Sequence, residues 1–354
     1  MKILISGVCG FAGSALARHF IETDSGIEVL GFDNFIRAGS ETNRRNLQAL
    51  GVKVSHADLR VQSDVDALPD ADWVVDAAAN ASVLAGVDGR TSSRQIIEHN
   101  LGGTVQMLEY CKAHRAGFVL LSTSRVYSIA PLASLPMRSE ADAFFPDENG
   151  TLPHGVSAGG VAEDFSTEPP LSLYGSTKLC SERLALEYGS AFGLPVWINR
   201  CGVLAGAGQF GRADQGIFSF WIHSWARRRA LKYIGFGGTG HQVRDCLHPR
   251  DLARLVLAQM RDPHRAVSRV QNVGGGTARA MSLRQLSAWC SRHFGAHDVA
   301  ADTAERAFDI PWMVMDSRLA ARQWQWEPEI SLEEILGGIA AHASANPEWL
   351  EISG

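Results

Sequence analysis

The sequence predicts an α/β fold: a doubly wound parallel sheet with a smaller C-terminal α/β lobe. Three observations predict it. Short β-branched or aliphatic runs at 2–6, 28–32, 53–56, 73–77, 118–122 and 195–199 alternate with helical patterns, and six apolar runs so separated describe parallel strands covered on both faces. A glycine-rich turn follows the first run at once. After Gly206 the alternation stops and aromatic and basic residues become frequent, as in Phe218-Ser219-Phe220-Trp221 and Trp225-Ala226-Arg227.

The opening run, Ile3 to Ile5, resembles the start of a leader only superficially, because a glycine turn breaks it and the helix behind carries Arg18 and His19. Between 131 and 170 the pattern dissolves into Pro, Gly, Ser and acidic residues, including Glu148-Asn149-Gly150 and Gly159-Gly160. So long a connection is either a mobile excursion or a functional lid. The helix-like 249–260 and strand-like 269–273 are expected to rejoin the first lobe. The boundary is then no single cut: residues 1–200 with 246–275 form one lobe, and 201–245 with 276–354 the other.

With 354 residues, 45% hydrophobic and 20% charged, the chain has the material for a substantial core, which excludes disorder. Its formal net charge of -5 and lack of like-charge runs beyond Arg227-Arg228-Arg229 argue against nucleic acid as a partner. Nothing approaches the ~18 apolar residues of a membrane span. Six scattered cysteines, with no C-x-x-C pair, read as reduced thiols of a cytoplasmic protein without a metal.

Gly7-Val8-Cys9-Gly10-Phe11-Ala12-Gly13 opens a helix directly after the first strand. Glycines there let the backbone turn tightly and approach a pyrophosphate, while the helix N-terminus presents free N–H groups to the anion. Alone, three glycines describe an ordinary strand-to-helix turn. Asp33 strengthens the reading, because it ends the second strand about twenty residues beyond the last glycine, where a carboxylate accepts hydrogen bonds from a ribose and repels a 2′-phosphate. NAD is therefore expected over NADP, with Arg37 nearby softening the preference. Asp58 and Leu59 are either adenine contacts or a loop acid and a core leucine.

Tyr174-Gly175-Ser176-Thr177-Lys178 begins a helical pattern over 174–188, so Tyr174 and Lys178 project from one face. A neighbouring ammonium favours the phenolate and brings a phenol into working range as a base. The strand at 118–122 leads into Thr123, Ser124 and Arg125; a hydroxyl at such a strand end either hydrogen-bonds a reacting oxygen or serves as a turn or helix cap.

With Asp33-Asn34, Asp58-Leu59, Asn100 in 99–104, 122–127, 174–178, Arg244-Asp245-Cys246-Leu247-His248 with Asp251, Asn272-Val273-Gly274-Gly275, and Arg306 with Asp309, the chain resembles the extended short-chain dehydrogenase/reductases that act on sugar nucleotides, over nearly its whole length. The resemblance implies a Rossmann NAD-binding lobe and a substrate lobe. The tyrosine would be the acid/base, the lysine would lower its pKa and hold the nicotinamide ribose, and Thr123 would assist at the sugar oxygen. It also implies cofactor contacts from Gly7, Gly10, Phe11, Ala12, Gly13, Asp33, Asn34, Arg37, Asp58 and Leu59, and from Ala77, Ala78, Ala79, Asn100 and Cys201 besides Tyr174 and Lys178. Substrate contacts would come from Thr123, Ser124, Arg125, Gln209, Gln215, Arg244, Arg306 and Asp309. The two arginines suit a substrate diphosphate, a planar charged fork gripping two phosphate oxygens; the alternative for Arg306 is a salt bridge with Asp309 or Glu305. A homodimer is implied through the helices at 100–111 and 174–188.

Family dehydratases carry an acidic pair after the threonine, whereas this chain has Ser124 and Arg125, which disfavours dehydration. The segments 32–39, 208–216 and 240–245 resemble the CDP-paratose 2-epimerase branch. Departures are Asp76, where many relatives have histidine, and Cys201 and Val203. The expected activity is NAD-dependent epimerisation of a nucleotide-linked sugar. The alternatives are a one-way dehydrogenase or ketoreductase on a polar alcohol and a non-catalytic NAD-sensing protein.

Overall fold

The computed structural model describes residues 1–87, 89, 92–212 and 215–353. Seven parallel strands form the central sheet: β1 (Lys2–Ser6), β2 (Glu28–Asp33), β3 (Lys53–His56), β4 (Trp73–Asp76), β5 (Gly117–Thr123), β6 (Val196–Cys201) and β7 (Val270–Val273). Their order is β7-β6-β5-β4-β1-β2-β3. The sheet therefore grows from β1 in both directions, and the crevice beyond its C-terminal ends is where ligands bind in folds of this kind.

Alternation along each strand sorts the core into two layers. Ile3 and Ile5 join Val29, Val75, Val119 and Trp197 on one face, under Leu16 and Phe20 of α1 (Phe11–Thr23). Leu4 joins Leu30, Val74, Phe118 and Ile198 on the other, under Met107 and Leu108 of α2 (Gly103–His114) and Ala185 of α3 (Leu173–Phe192). Leu252, Leu255 and Val256 of α4 (Pro249–Arg261) complete the first layer. Each such side chain contributes about 1.5–3 kcal/mol on burial. Val270 to Val273 of β7 pair with Ile198 to Cys201 of β6.

The aromatic-rich stretch after Gly206 builds a second core. Phe218, Trp221, Ile222 and Trp225, at helical spacing within Ile217–Ala226, pack with Trp289, Ile335 and Ile339. Beside it Val243–Leu247 pairs with Val203–Leu204, Ala280–Ser282 and Trp312–Met313.

The segment 131–170 departs from its expectation. It contains two antiparallel pairs, Met137–Glu140 with Ala143–Pro146 and Val156–Ser157 with Gly160–Val161. Its Leu132, Leu135, Ala143, Val161 and Phe165 share a core with Ile310, Trp312, Val314 and Met315. Backbone hydrogen bonds from Phe144 to His241 and from Val161 to Val314 tie it down. It buttresses the second core and contributes no residue to the cavity wall described next, so it is neither a loose excursion nor a lid over that cavity.

Candidate active site

A cavity of about 650 Å³ opens along the C-terminal ends of the central strands, walled on its far side by the second core. The sharp turn after β1 forms its floor. Gly7 has φ +62°, and a Cβ there would lie 2.9 Å from Ala78 Cα; a Cβ on Gly13 would collide with the Gly7 carbonyl. Only glycine allows this packing of turn, helix and neighbouring loop. Gly10 caps α1, and Phe11 and Ala12 begin it. The turn is braced from below: Ser6 Oγ accepts the amides of Ala77 (3.1 Å) and Ala78 (3.0 Å) and donates to Asp76 Oδ1 at 2.7 Å, while Thr104 Oγ1 donates to Asp76 Oδ2 at 2.8 Å. Asp76 is thus a buried anchor under the Ala77-Ala78-Ala79 wall.

Asp33 is buried at the end of β2 and accepts Cys9 N at 3.0 Å and Phe35 N at 2.8 Å. Burial raises its pKa and these backbone donors oppose the rise. Asn34 donates to Asp58 Oδ2 at 3.1 Å. Arg60 grips the same carboxylate through Nε at 2.9 Å and Nη2 at 2.6 Å, holding it well below the usual range. Arg60 lies on the cavity wall and was missed in the sequence; its signal was its place two residues after Asp58. Leu59 is buried beside Gly103, the core placement, yet its surface also faces the cavity. Arg37 spans to the opposite wall, donating to Phe210 O at 2.6 Å and Gln215 Oε1 at 3.3 Å.

Asn100 is the exception among the expected cofactor contacts, for it does not line the cavity. Its side chain accepts Asn80 N at 2.8 Å and donates to Asn80 O and Thr177 Oγ1, each at 3.1 Å. A π-helical turn over Glu98–Gly102 places it there, buried between the loop after β4 and α3. Asn100 thus braces the loop after β4 against α3, behind the cavity wall.

Thr123 at the tip of β5 and Tyr174 and Lys178 on the first turns of α3 meet at the middle of the cavity, all three buried. Ser172 caps α3 by accepting Gly175 N at 3.0 Å. Burial pushes the Tyr174 phenol up to about 12, opposed by a hydrogen bond with Thr123 and by the charge of Arg125. Burial lowers Lys178, opposed by Asp76, Cys201 and Glu182. Cys201 ends β6 beside them, and burial pushes its thiol up to about 12. It forms a neutral wall.

The far wall is cationic. Arg244 donates from Nη1 to Val243 O at 2.7 Å and from Nη2 to Asp309 Oδ1 at 3.0 Å and Ile310 O at 2.9 Å. Asp309 is thus ion-paired with Arg244, where the sequence suggested Arg306 as its alternative partner. Arg306, Ser124 and Arg125 line the same region. Burial, with Arg244 adding to it, pushes Arg125 down to about 10. Gln209 is pinned by donating Nε2 to Leu204 O at 2.5 Å, and Gln215 is held by Arg37. Asp214 of the 208–216 segment lies outside the described residues. His99, Gln242 and Phe308 also line the cavity; the sequence marked the segments around them without singling them out.

A family model described as the NAD dependent epimerase/dehydratase family matches residues 3–274. The chain belongs to that family. Among curated relatives of this family member, CDP-paratose 2-epimerase of Salmonella typhi is 26% identical over 349 residues, covering 94% of this chain and 96% of its own. UDP-glucuronate 4-epimerase of Thermodesulfobacterium geofontis is 25% identical and covers 98% of each chain. Among solved structures, UDP-glucuronic acid 4-epimerase from Bacillus cereus, in complex with UDP-glucuronic acid and NAD, superposes with a TM-score of 0.77 at 25% identity, over 98% of this chain and 99% of its own. The seven-stranded parallel sheet is thus a Rossmann sheet, and the chain is an NAD-dependent enzyme. Among the described residues no helix is long and apolar enough to cross a membrane, and no group of three or more His, Cys, Asp or Glu is placed to hold a metal.

Proposed function

We propose that this enzyme epimerises a nucleotide-linked sugar by oxidising one carbon and reducing it again on the opposite face. The observation that carries the reading is where the carboxylates stand. Among the described residues only Asp33, Asp58 and Asp309 bring a carboxylate to the cavity; the first two sit at the ends of β2 and β3, and the third is bound to Arg244. Beside Thr123 and Tyr174 there is none to drive elimination of water. Among the described residues a proton-transfer pair is present at the site and a dehydration acid is not.

The residues fit NAD. The Gly7/Gly13 cradle, closed to any Cβ, would admit the pyrophosphate against the N-terminus of α1, with Asp33 and Asn34 at the adenosine ribose and Asp58 and Leu59 at the adenine. Arg37, Ala77 to Ala79 and Cys201 would complete that half, and Lys178 would hold the nicotinamide ribose. Bound NAD supplies reversible hydride acceptance at the sugar carbon.

Tyr174 takes the proton of the sugar hydroxyl on oxidation and returns it on reduction, and Thr123 steadies the same oxygen. Ser124, Gln209 and Gln215 would contact the sugar and nucleotide, and Arg244 and Arg306 the diphosphate. In this reading residues 1–200 with 246–275 serve the cofactor, and 201–245 with 276–354 the substrate. The likeness to CDP-paratose 2-epimerase supports a cytidine diphosphate sugar as the first candidate, and the family resemblance supports a homodimer through α2 and α3.

The test is to incubate the purified protein, without added NAD, with CDP-, UDP-, GDP- and dTDP-sugars and to follow products by NMR, with Tyr174→Phe alongside. The proposal expects one epimer pair to interconvert in the wild type only. Unchanged sugars throughout in the wild type, or turnover that appears only when NAD is added and consumes it mole for mole with product, would overturn it.

A further inference from the structure

The loop after β2 belongs to the cofactor half of the cavity, yet it reaches the opposite wall. Asp33 Oδ1 accepts Phe35 N at 2.8 Å and Asn34 Oδ1 accepts Ile36 N at 3.1 Å. The two side chains expected at the adenosine ribose therefore also shape the backbone that follows them. Phe35 takes φ +56° within that turn, and the chain leaves it with Arg37 reaching the second lobe.

Arg37 donates from Nη2 to Phe210 O at 2.6 Å and from Nη1 to Gln215 Oε1 at 3.3 Å, and its guanidinium stands 5.9 Å from the centre of the Phe210 ring. Gly39 of the same loop lies against that ring as well: a Cβ there would be 3.0 Å from Phe210 Cε1. The strip so gripped carries Gln209 and Gln215, the two glutamines assigned above to the substrate, and both line the cavity. Its support from the far side is the C-terminal helix Trp349–Ser353. Trp349 Nε1 donates to Gln209 O at 2.8 Å, the Phe210 and Trp349 rings stack with centroids 5.3 Å apart, and Arg212 Nε donates to Ser353 O at 3.2 Å. A guanidinium has donors and no acceptor, so Arg37 also fixes which way round the Gln215 amide sits.

We propose that Arg37 is a positioning residue that transmits cofactor occupancy to the substrate wall: NAD held at Asp33 and Asn34 fixes the loop after β2, and Arg37 in turn fixes the strip from Gln209 to Gln215. This rests on NAD and the sugar nucleotide lying as assigned above. A ligand that orders the loop lowers the entropy still to be lost when the strip is ordered, so the two are coupled even without a displacement. Linkage makes the effect reciprocal: a sugar nucleotide on the strip tightens the hold on NAD. That suits a cofactor that is reduced and reoxidised in place and not released between the two steps.

The experiment is hydrogen exchange followed by mass spectrometry. Wild type, Arg37→Met, Arg37→Lys and Gln215→Leu are freed of NAD, and each is compared with and without saturating NAD over peptides spanning 208–216. Arg212 N and Gln215 N donate to each other's carbonyls at 2.7 and 3.2 Å, so their exchange reports the opening of the strip. NAD is expected to slow that exchange about fivefold or more in the wild type, the lower end of ordinary coupling between sites. The slowing should vanish in Arg37→Met, shrink in Gln215→Leu, whose cofactor loop is untouched, and survive in part in Arg37→Lys, which keeps a cationic donor. Unchanged exchange in peptides of β1 and β5 shows that the fold is intact. Exchange of the wild-type strip unmoved by NAD overturns the proposal. So does slowing of wild-type size in Arg37→Met, which a static strut would leave, or, should that variant not load NAD, in Gln215→Leu. No sugar nucleotide enters the experiment, so its failure leaves the epimerase reading standing, and a protein that epimerises nothing leaves this coupling testable.

Discussion

Arg244 Nη2 lies 3.0 Å from Asp309 Oδ1 and 2.9 Å from the Ile310 carbonyl, so the guanidinium is oriented before any substrate arrives. Asp309 positions the group that is proposed to meet the diphosphate. Arg244→Ala and Arg306→Ala are each expected to raise KM for the sugar nucleotide about 10- to 100-fold, since hydrogen bonds to charged groups contribute about 1.5–3 kcal/mol. NAD content should stay unchanged. Steady-state kinetics with the substrate identified by NMR checks this, and a wild-type kcat/KM in both variants would place the diphosphate elsewhere.

Tyr174→Phe keeps the ring that fills the wall and removes the proton carrier. Its kcat is expected to fall about 10²- to 10⁴-fold, the range for loss of general acid–base catalysis, with bound NAD retained. Thr123→Val should lower kcat less, whereas Thr123→Ser, which keeps a hydroxyl, should remain near wild type. Equal activity in the valine and serine variants would remove Thr123 from the reaction.

The Gly7 turn has no room for a methyl group, and its φ of +62° disfavours one independently. Gly7→Ala and Gly13→Ala are expected to purify with much less bound NAD. Absorbance of the cofactor released on denaturation measures it. Full occupancy in both variants would mean the pyrophosphate does not lie on this turn.

Asp245 is fully buried, with Oδ2 accepting Gly276 N at 3.1 Å and Oδ1 without a hydrogen-bond partner among the described residues. Burial pushes this carboxyl up to about 6, above its unfolded value. Between about pH 4 and 6 the folded state therefore binds the extra proton, so this group's stabilisation is complete below pH 4 and is lost as pH rises towards and through 6. The difference in Tm between wild type and Asp245→Asn should change across that window and stay flat above it. A difference independent of pH from 4 to 7 would show that Asp245 is ionised throughout.

Much of this was legible in the sequence where the signal was local. β1, β5 and β6 are centred on apolar runs, the glycine turn follows β1 at once, Asp33 ends β2, and Tyr174 and Lys178 lie four apart on one helix. The pairs within 131–170 were not legible, because their strands are two to four residues long and their apolar partners lie at 310–315. The bonds of Asn100 to Asn80 and Thr177 were not legible, because the π-turn at Glu98–Gly102 that sets them is not revealed by a 3.6-residue pattern. Arg125 was read as a substrate contact standing where family dehydratases carry an acid. Its place among Arg244, Arg306 and Asp309 depends on contacts between segments more than a hundred residues apart.

The central claim is that one sugar carbon loses hydride and regains it on its other face. The direct measurement is to deuterate that carbon of the substrate and follow conversion in ordinary water by NMR and mass spectrometry. The account predicts an epimer that keeps its deuterium on the inverted carbon, with none exchanged into water. Loss of the label to solvent in step with inversion would show that the carbon gives up a proton instead, and would contradict oxidation and return as the mechanism.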